Sequence, residues 1–336
     1  MNIIALGKEA QHVCLRYRID PVRQAMRQQG HWFSLQQMPK TPWGRIALYR
    51  DIKNAHVVVV QRRLISAWEL PLLRRAAKHL IFDFDDAFFQ RNSYRSQLKS
   101  PRRLARFQAM VQAADQVFAG NAYLAECAAQ YTSPSKILVM PTCVETSQYP
   151  LAEHQRRGPG VRMVWIGSSS TLRGLEQQAD LWNTLGRTLP GLELYVVCDR
   201  FPKFPGIKVI PVPWIQKLEA TQLASCDIGI AHMPDDNWSQ GKCGLKVLQY
   251  QAAGLPVVTS PVGVNQQLVQ HEVNGFWANT PSEWIVAIGR LMNDPELRSR
   301  MGQAGRQQVE QHYSIEQLLV RWKSALQRAT LPKAVA

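Results

Sequence analysis

Residues Gly241–Val264, GKCGLKVLQYQAAGLPVVTSPVGV, decide how this chain is read. Lys242 and Lys246 stand four apart and lead into Gln249, Tyr250 and a run of small residues that ends at Gly254. Pro256 follows, then the apolar pair Val257–Val258 and a second glycine turn at Gly263. The pattern predicts a loop, a helix from about Leu245 to Ala253, a short buried strand and a tight loop. Gly just past a last helical turn, with Pro shortly beyond, is a stop signal. A helix start that offers unpaired backbone N–H groups beside two lysines suits an anion, and a diphosphate is the natural candidate.

The same stretch resembles the donor-binding signature of GT-B glycosyltransferases of family 4, the glycogen synthase-like group 1 type. Gly244-Leu245, Tyr250, Ala252-Ala253-Gly254 and Pro256-Val257-Val258 match it, and two positions depart. The family's second Glu, which holds the ribose hydroxyls, is Gln249 here, and its first, eight residues earlier, is Gly241. A glutamine side chain still offers a donor and an acceptor to a diol.

The resemblance implies an α/β GT-B fold, two Rossmann-like parallel-sheet domains facing a cleft. Residues 1–150 would form the N-terminal acceptor-side domain, joined by a C-terminal helix at about 315–336. Residues 151–314 would form the nucleotide-sugar-binding domain. The implied activity is transfer of a sugar from a nucleotide diphosphate sugar to an acceptor hydroxyl, retaining, without a metal and without a cofactor. The donor-side residues carried over are Gly7, Ser168, Arg173, Lys242, Gly244, Leu245, Lys246 and Gln249. Ser168 stands where the family has the Arg of an Arg/Lys phosphate pair, and Arg173-Gly174 matches the Lys-Gly half.

Upstream, the chain reads as a β-α-β alternation. His56–Gln61, HVVVVQ, is the uniformly apolar kind of strand that a parallel sheet buries on both faces. A helix over 69–79 and the strand LIFDFDDA follow, which argues for a doubly wound domain whose ligands bind beyond the strands' carboxyl ends. The FDFDD run allows three readings: a metal site on the diphosphate, acceptor binding or base work, or a strand end with solvated acids. Alternation puts Asp83 and Asp85 on one strand face and half-buried Phe82 and Phe84 on the other. By resemblance Asp85 takes the place of a family His, so Asp85 and Asp86 are the candidates for orienting or deprotonating an acceptor hydroxyl. Arg18, in the segment CLRYRID, faces either the cleft or solvent at a helix end.

Residues 87–114 contain no acid and six basic residues. Ser100-Pro101 marks a helix start, and Leu104, Phe107, Met110 and Val111 recur at core spacing. Arg91, Arg95, Arg102 and Arg103 are then left as a landing surface for an anionic acceptor or lipid headgroups, or as a solvated helix face. Residues 145–161 are polar and glycine-rich and read as a linker, and a helix is expected from about Leu175 to Leu185.

Net charge is +15, of which +11 falls in residues 1–150. That balance suits a phosphorylated acceptor, an acidic membrane surface or nucleic acid. No nucleic-acid recognition motif accompanies it, so the expected partners are a nucleotide sugar and an anionic or lipid-linked glycan, with peripheral membrane contact. The six cysteines lack zinc or disulfide spacing. No apolar run approaches the ~18–20 residues that span a bilayer, and the start lacks a signal-peptide pattern. A cytoplasmic protein, working at the inner face of the membrane, is the expectation. The alternative is a catalytically degenerate glycosyltransferase-like protein that binds a nucleotide sugar or glycan.

Overall fold

The computed structural model describes residues 1–7, 13–91, 99–155 and 160–330, with side chains as far as 328. It divides into two compact units. Unit 1 comprises Met1–Cys143, Asp236–Cys243 and Ile315–Ala336, and unit 2 comprises Val144–Asp235 and Gly244–Ser314.

Unit 1 runs β1 (Asn2–Gly7), α1 (Val13–Arg18), α2 (Asp20–Gln28), β2 (Trp32–Gln37), α3 (Pro42–Asp51), β3 (Val57–Gln61), α4 (Leu70–Ala76) and β4 (Leu80–Phe84). It continues with α5 (Pro101–Ala113), β5 (Gln116–Ala119), α6 (Ala122–Ala129) and β6 (Ile137–Val139). The six strands form one parallel sheet in the order β2-β1-β3-β4-β5-β6. Val57 to Val60 are fully or almost fully buried, as a strand covered on both faces requires. One face packs against α3, α4, α5 and α6. The other packs against α1, α2 and the last helix of the chain, whose Trp322 meets Phe118 edge-on at 5.1 Å.

Three expectations are corrected in unit 1. Phe82 and Phe84 are not half-exposed; both are wholly buried in a cluster with Phe88 and Phe107. Each such burial stabilises the fold by roughly 1.5–3 kcal/mol. β4 ends at Phe84, so Asp85 stands in the turn beyond the strand. Leu104 does not join the core; it is 37% exposed on the first turn of α5, while Phe107, Met110 and Val111 are buried.

Unit 2 runs β7 (Val161–Ile166), α7 (Ser169–Glu176), α8 (Ala179–Thr188), β8 (Leu192–Cys198), β9 (Lys208–Pro213), α9 (Glu219–Ala224) and β10 (Ile228–Ala231). The short helix α10 (Asn237–Gln240) belongs to unit 1. Then come α11 (Leu245–Ala252), β11 (Val257–Thr259), α12 (Asn265–Leu268), β12 (Gly275–Trp277), α13 (Pro281–Asn293) and α14 (Pro295–His312) in unit 2, and α15 (Ile315–Thr330) in unit 1. The unit 2 sheet is also parallel, in the order β12-β11-β10-β7-β8-β9. Trp182 and Trp284 anchor its core at 5.5 Å, edge to face. The single helix expected over 175–185 is two helices, broken at residues 177–178. The described part of 145–161 is packed rather than free: Tyr149 and His154 are buried, and His154 Nε2 lies 2.8 Å from the Gly254 carbonyl.

Candidate functional site

In each sheet the strand order reverses once, and ligands of parallel sheets gather beyond the strand ends at that reversal. In unit 1 it lies between β1 and β3. Gly7 closes β1 there, buried, and a Cβ on it would meet Leu15 at 3.0 Å. Arg62 follows β3 with a left-handed backbone, φ 52°. A non-glycine residue held that way costs about 1–2 kcal/mol, and the ion pairs of its side chain offset it.

Arg62 donates to Asp86 Oδ2 and to Cys14 Sγ, the latter at 3.0 Å, and its Nε stands 4.0 Å from Asp85 Oδ1. Lys242 Nζ reaches both Asp86 oxygens at 3.0 and 3.2 Å and lies 3.3 Å from the centroid of the Trp238 ring. Asp86 is therefore fully engaged by two cations. Asp85 is held differently: its Oδ1 is buried and accepts no hydrogen bond among the described residues, while the Cys14 thiol bonds to the carboxyl group. Burial alone would raise the Asp85 carboxyl, but Arg62 and then Arg18 outweigh it and hold the acid below its usual range. It is ionised at neutral pH, an acceptor of hydrogen bonds rather than a strong base.

Asn121 carries the support for this corner. Its Oδ1 caps α6, and its Nδ2 donates to the carbonyls of Gln240 and Lys242 at 3.0 and 2.9 Å. Those bonds hold Asp236–Cys243 on unit 1. Gly241 is required there, because a Cβ would press into Ala87, coming within 2.9 Å of its backbone nitrogen. The position where the family carries its first Glu thus has no room for a side chain.

Arg18 is corrected outright. It is 1% exposed, donates through Nε to Asp83 at 3.0 Å and through Nη2 to the other Asp83 oxygen, and reaches the Met140 carbonyl at 2.7 Å. It ties β4 to the end of β6 and presents no surface to an acceptor or a membrane. Burial disfavours its charge, but Asp83 outweighs that and keeps it protonated. Arg91, Arg102 and Arg103 are exposed, Arg103 donating to the Gln90 carbonyl at 3.0 Å; Arg95 lies outside the described residues. Among the described residues no group of three metal-ligating side chains comes together.

In unit 2 the reversal lies between β10 and β7. α11 begins beside it with Gly244 at φ 67°, a conformation open to glycine, and a Cβ there would collide with Leu268 and Val264. Leu245 and Lys246 form its first turn, half-buried, and the Lys246 ammonium lies 4.0 Å from the Trp165 ring centroid. The helix is fixed from below: Tyr250 Oη accepts from the Ile166 amide at 2.9 Å, and the missing side chain of Gly229 makes room for the Tyr250 ring.

Lys242 belongs to unit 1, where it shares Asp86 with Arg62, and Lys246 belongs to unit 2. Gln249 is also corrected as an open ribose ligand. It is 3% exposed, and its Nε2 donates to Tyr149 Oη at 3.3 Å. Ser168 caps α7 in a box with Thr171, and Ser169 N donates to Asp199 at 2.6 Å. Hydrogen bonds from Ser169 pull Asp199 down to about 2, so a carboxylate of the protein itself occupies that helix start. Arg173 is exposed within α7 rather than in the loop before it. Arg62, Asn121, Trp165 and Trp238 were not singled out from the sequence; the Arg-Arg pair directly after the VVVVQ strand was the one available signal.

Residues 225–308 match the family described as glycosyl transferases group 1. The putative glycosyltransferase YtcC of Bacillus subtilis (strain 168) is 34% identical over 85 residues, 24% of this chain and 21% of that protein. The match thus spans about a fifth of that relative's length. Whole-chain likeness is structural. Sucrose-phosphate synthase from Thermosynechococcus elongatus superposes with a TM-score of 0.78 at 15% identity, over 98% of this chain and 99% of that one. Anabaena HepE in complex with UDP and glucose gives 0.72 at 12% identity, over 98% and 100%. The chain has the GT-B fold and carries, over residues 225–308, the sequence of the group 1 glycosyltransferases.

Proposed function

We propose that this protein transfers a sugar from a nucleotide diphosphate sugar to an acceptor hydroxyl. The observation that carries the proposal is the start of α11. Gly244 in the left-handed conformation, a helix start without a side-chain cap from Gly244, and Lys246 stand beside the strand-order reversal of unit 2, inside the segment that matches the family. The leaving diphosphate gains charge as the glycosidic bond breaks, and fixed N–H dipoles with an ammonium stabilise that charge more than the ground state. Arg173 is the further cation assigned to the phosphates. HepE, of the same fold, has been solved with UDP and with UDP-glucose, which supports a nucleotide sugar as donor.

Asp85 is assigned to the acceptor. An ionised carboxylate orients a hydroxyl by accepting its hydrogen bond, and its lowered pKa makes proton removal the weaker role. Asp86 sets the position of Arg62 and Lys242 around it. A retaining, metal-independent reaction without cofactor fits a site whose positive charge comes from side chains and helix amides. The acceptor is assigned as an anionic or lipid-linked glycan, reached at the cytoplasmic face of a membrane. No helix among the described residues is long and apolar enough to cross one.

A second reading is favoured by one observation: Gly241 and Gln249, at the two family acid positions, are both buried. The protein would then bind a nucleotide sugar without turning it over. Thermal shifts with UDP, GDP, ADP, TDP and CMP and their sugar conjugates, with and without EDTA, test the donor site. One nucleoside diphosphate is expected to raise the melting temperature by several degrees at about a hundred times its Kd, unaffected by EDTA. No shift with any of them would overturn the donor assignment. Binding without sugar transfer or donor hydrolysis would select the second reading.

A further inference from the structure

In a parallel sheet with helical crossovers, each helix starts at the carboxyl-end edge of the strands. The first turns of α3, α4 and α5 therefore share the edge of unit 1 that holds Asp85, Asp86 and Arg62, side by side on one face of the sheet. Their surfaces do not read as a solvated rim. Trp43 on the first turn of α3 is 81% exposed, and Trp68, just before α4, is 53% exposed. Leu72 on α4 and Leu104 on α5 are each 37% exposed.

These apolar side chains sit among cations. Lys40, Arg91, Lys99, Arg102 and Arg103 are exposed in the loops and first turns of this edge. Among the described residues of segments 38–44, 62–72 and 85–104 no acid is exposed: Glu69 is buried against Arg45 and Tyr49, Asp86 is buried, and Asp85 is half-buried. The buried Glu69 also joins α3 to the start of α4, through Arg45 Nη1 at 2.6 Å, so the surface is fixed rather than a chance of loop conformation.

Tryptophan with an exposed ring settles where one side is apolar and the other wet, and arginine and lysine are drawn to anionic headgroups. The two together, on one edge and without opposing acids, fit a lipid surface. A nucleic acid would use the cations but gains nothing from leucine side chains. We infer that this edge of unit 1 docks on an anionic phospholipid bilayer, seating Trp43, Trp68, Leu72 and Leu104 at headgroup level. The placement brings the Asp85 side of the unit to the membrane, where a lipid-linked acceptor is presented. The inference deepens the lipid-linked acceptor reading, but its test involves no transfer.

The test is sedimentation of the full chain with phosphatidylcholine vesicles carrying about one-third phosphatidylglycerol, against pure phosphatidylcholine and against single-stranded RNA. Binding to the anionic vesicles is expected, with little to pure phosphatidylcholine. Arg102→Glu with Arg103→Glu should reduce it at least tenfold. Trp43→Ala with Trp68→Ala should also reduce it about tenfold or more, leaving the melting temperature and the nucleotide-induced shift in place. Trp32, 64% exposed at the start of β2 and so at the opposite edge of the sheet, is the control, and Trp32→Ala should bind as the parent does. Absence of vesicle binding, equal losses for the Trp32 and Trp43/Trp68 variants, or binding to RNA in preference to vesicles would overturn the inference.

Discussion

Arg18 and Asp83 form the most consequential residue pair in unit 1. Both are almost wholly buried and bonded through two oxygens, so removing one partner strands the other charge. Arg18→Leu should destabilise the protein by about 3–5 kcal/mol in urea unfolding, and Arg18→Leu with Asp83→Leu by less than the single change. A single change costing under 1 kcal/mol would show that the pair does not carry the strand-end junction. Asp85 makes a different prediction. Asp85→Asn should lower sugar transfer at least tenfold while nucleotide affinity stays within about twofold, because its carboxylate is assigned to the acceptor. Unchanged transfer would remove it from the mechanism. His154 and His232 are held below the ordinary histidine range by burial. Unfolded chains protonate first, near pH 6.5, so the stability tied to the neutral forms is complete above that pH and is lost as pH falls through the folded values. Urea midpoints at pH 7.5 and 5.5 should differ less in His154→Gln than in the parent; an equal difference would exclude His154 as a contributor. The acid cluster was visible in the sequence, but its partners were not. Arg18 is 65 residues from Asp83 and Lys242 is 156 from Asp86, and a charge pattern carries no information about which distant cation closes on it.

Elements were legible where burial imposes a pattern. HVVVVQ and the 245–253 helix read close to their observed bounds, because a strand covered on both faces and a helix closed by a Gly stop leave regular signals. β2 and α3 left none. β2 is an edge strand with only Phe33 buried, and α3 opens on an exposed tryptophan, so neither shows alternation or a stripe. Leu104 misled for the converse reason: it keeps the core spacing of α5 but sits on its outward first turn. Close approach was also invisible. Gly302 of α14 packs on the end of α11, where a Cβ would fall on the Gly254 carbonyl oxygen, whereas a Cβ on Gly305 would meet Gln251 Cγ at 3.0 Å, a tight contact rather than an overlap. Gly302→Ala should therefore cost about 1–3 kcal/mol and Gly305→Ala clearly less in urea unfolding, since backbone cannot yield as a side chain does. The reverse order would mean that α11 and α14 are not held by this contact.

At the scale of the molecule, two parallel sheets each reverse strand order once, and the candidate groups stand at those reversals. The β-α-β alternation near residues 56–87 pointed to a doubly wound domain, and the two-domain architecture came from the family resemblance. The signature stretch gave the α11 helix start, but hid a division within itself. Asp236–Cys243 belongs to unit 1 and Gly244 onward to unit 2, so Lys242 serves Asp86 while Lys246 remains beside the helix amides. Contiguity in sequence gave no sign of that division, and the hydrogen bonds of Asn121 are what hold Asp236–Cys243 on unit 1. The account stands on Lys246 and the α11 start as the seat of the diphosphate, which calorimetric titration tests directly. The nucleoside diphosphate selected by the thermal panel should bind Lys246→Ala at least tenfold more weakly than the parent. The free nucleoside should bind both alike. Equal diphosphate affinity in a folded Lys246→Ala protein would contradict the account.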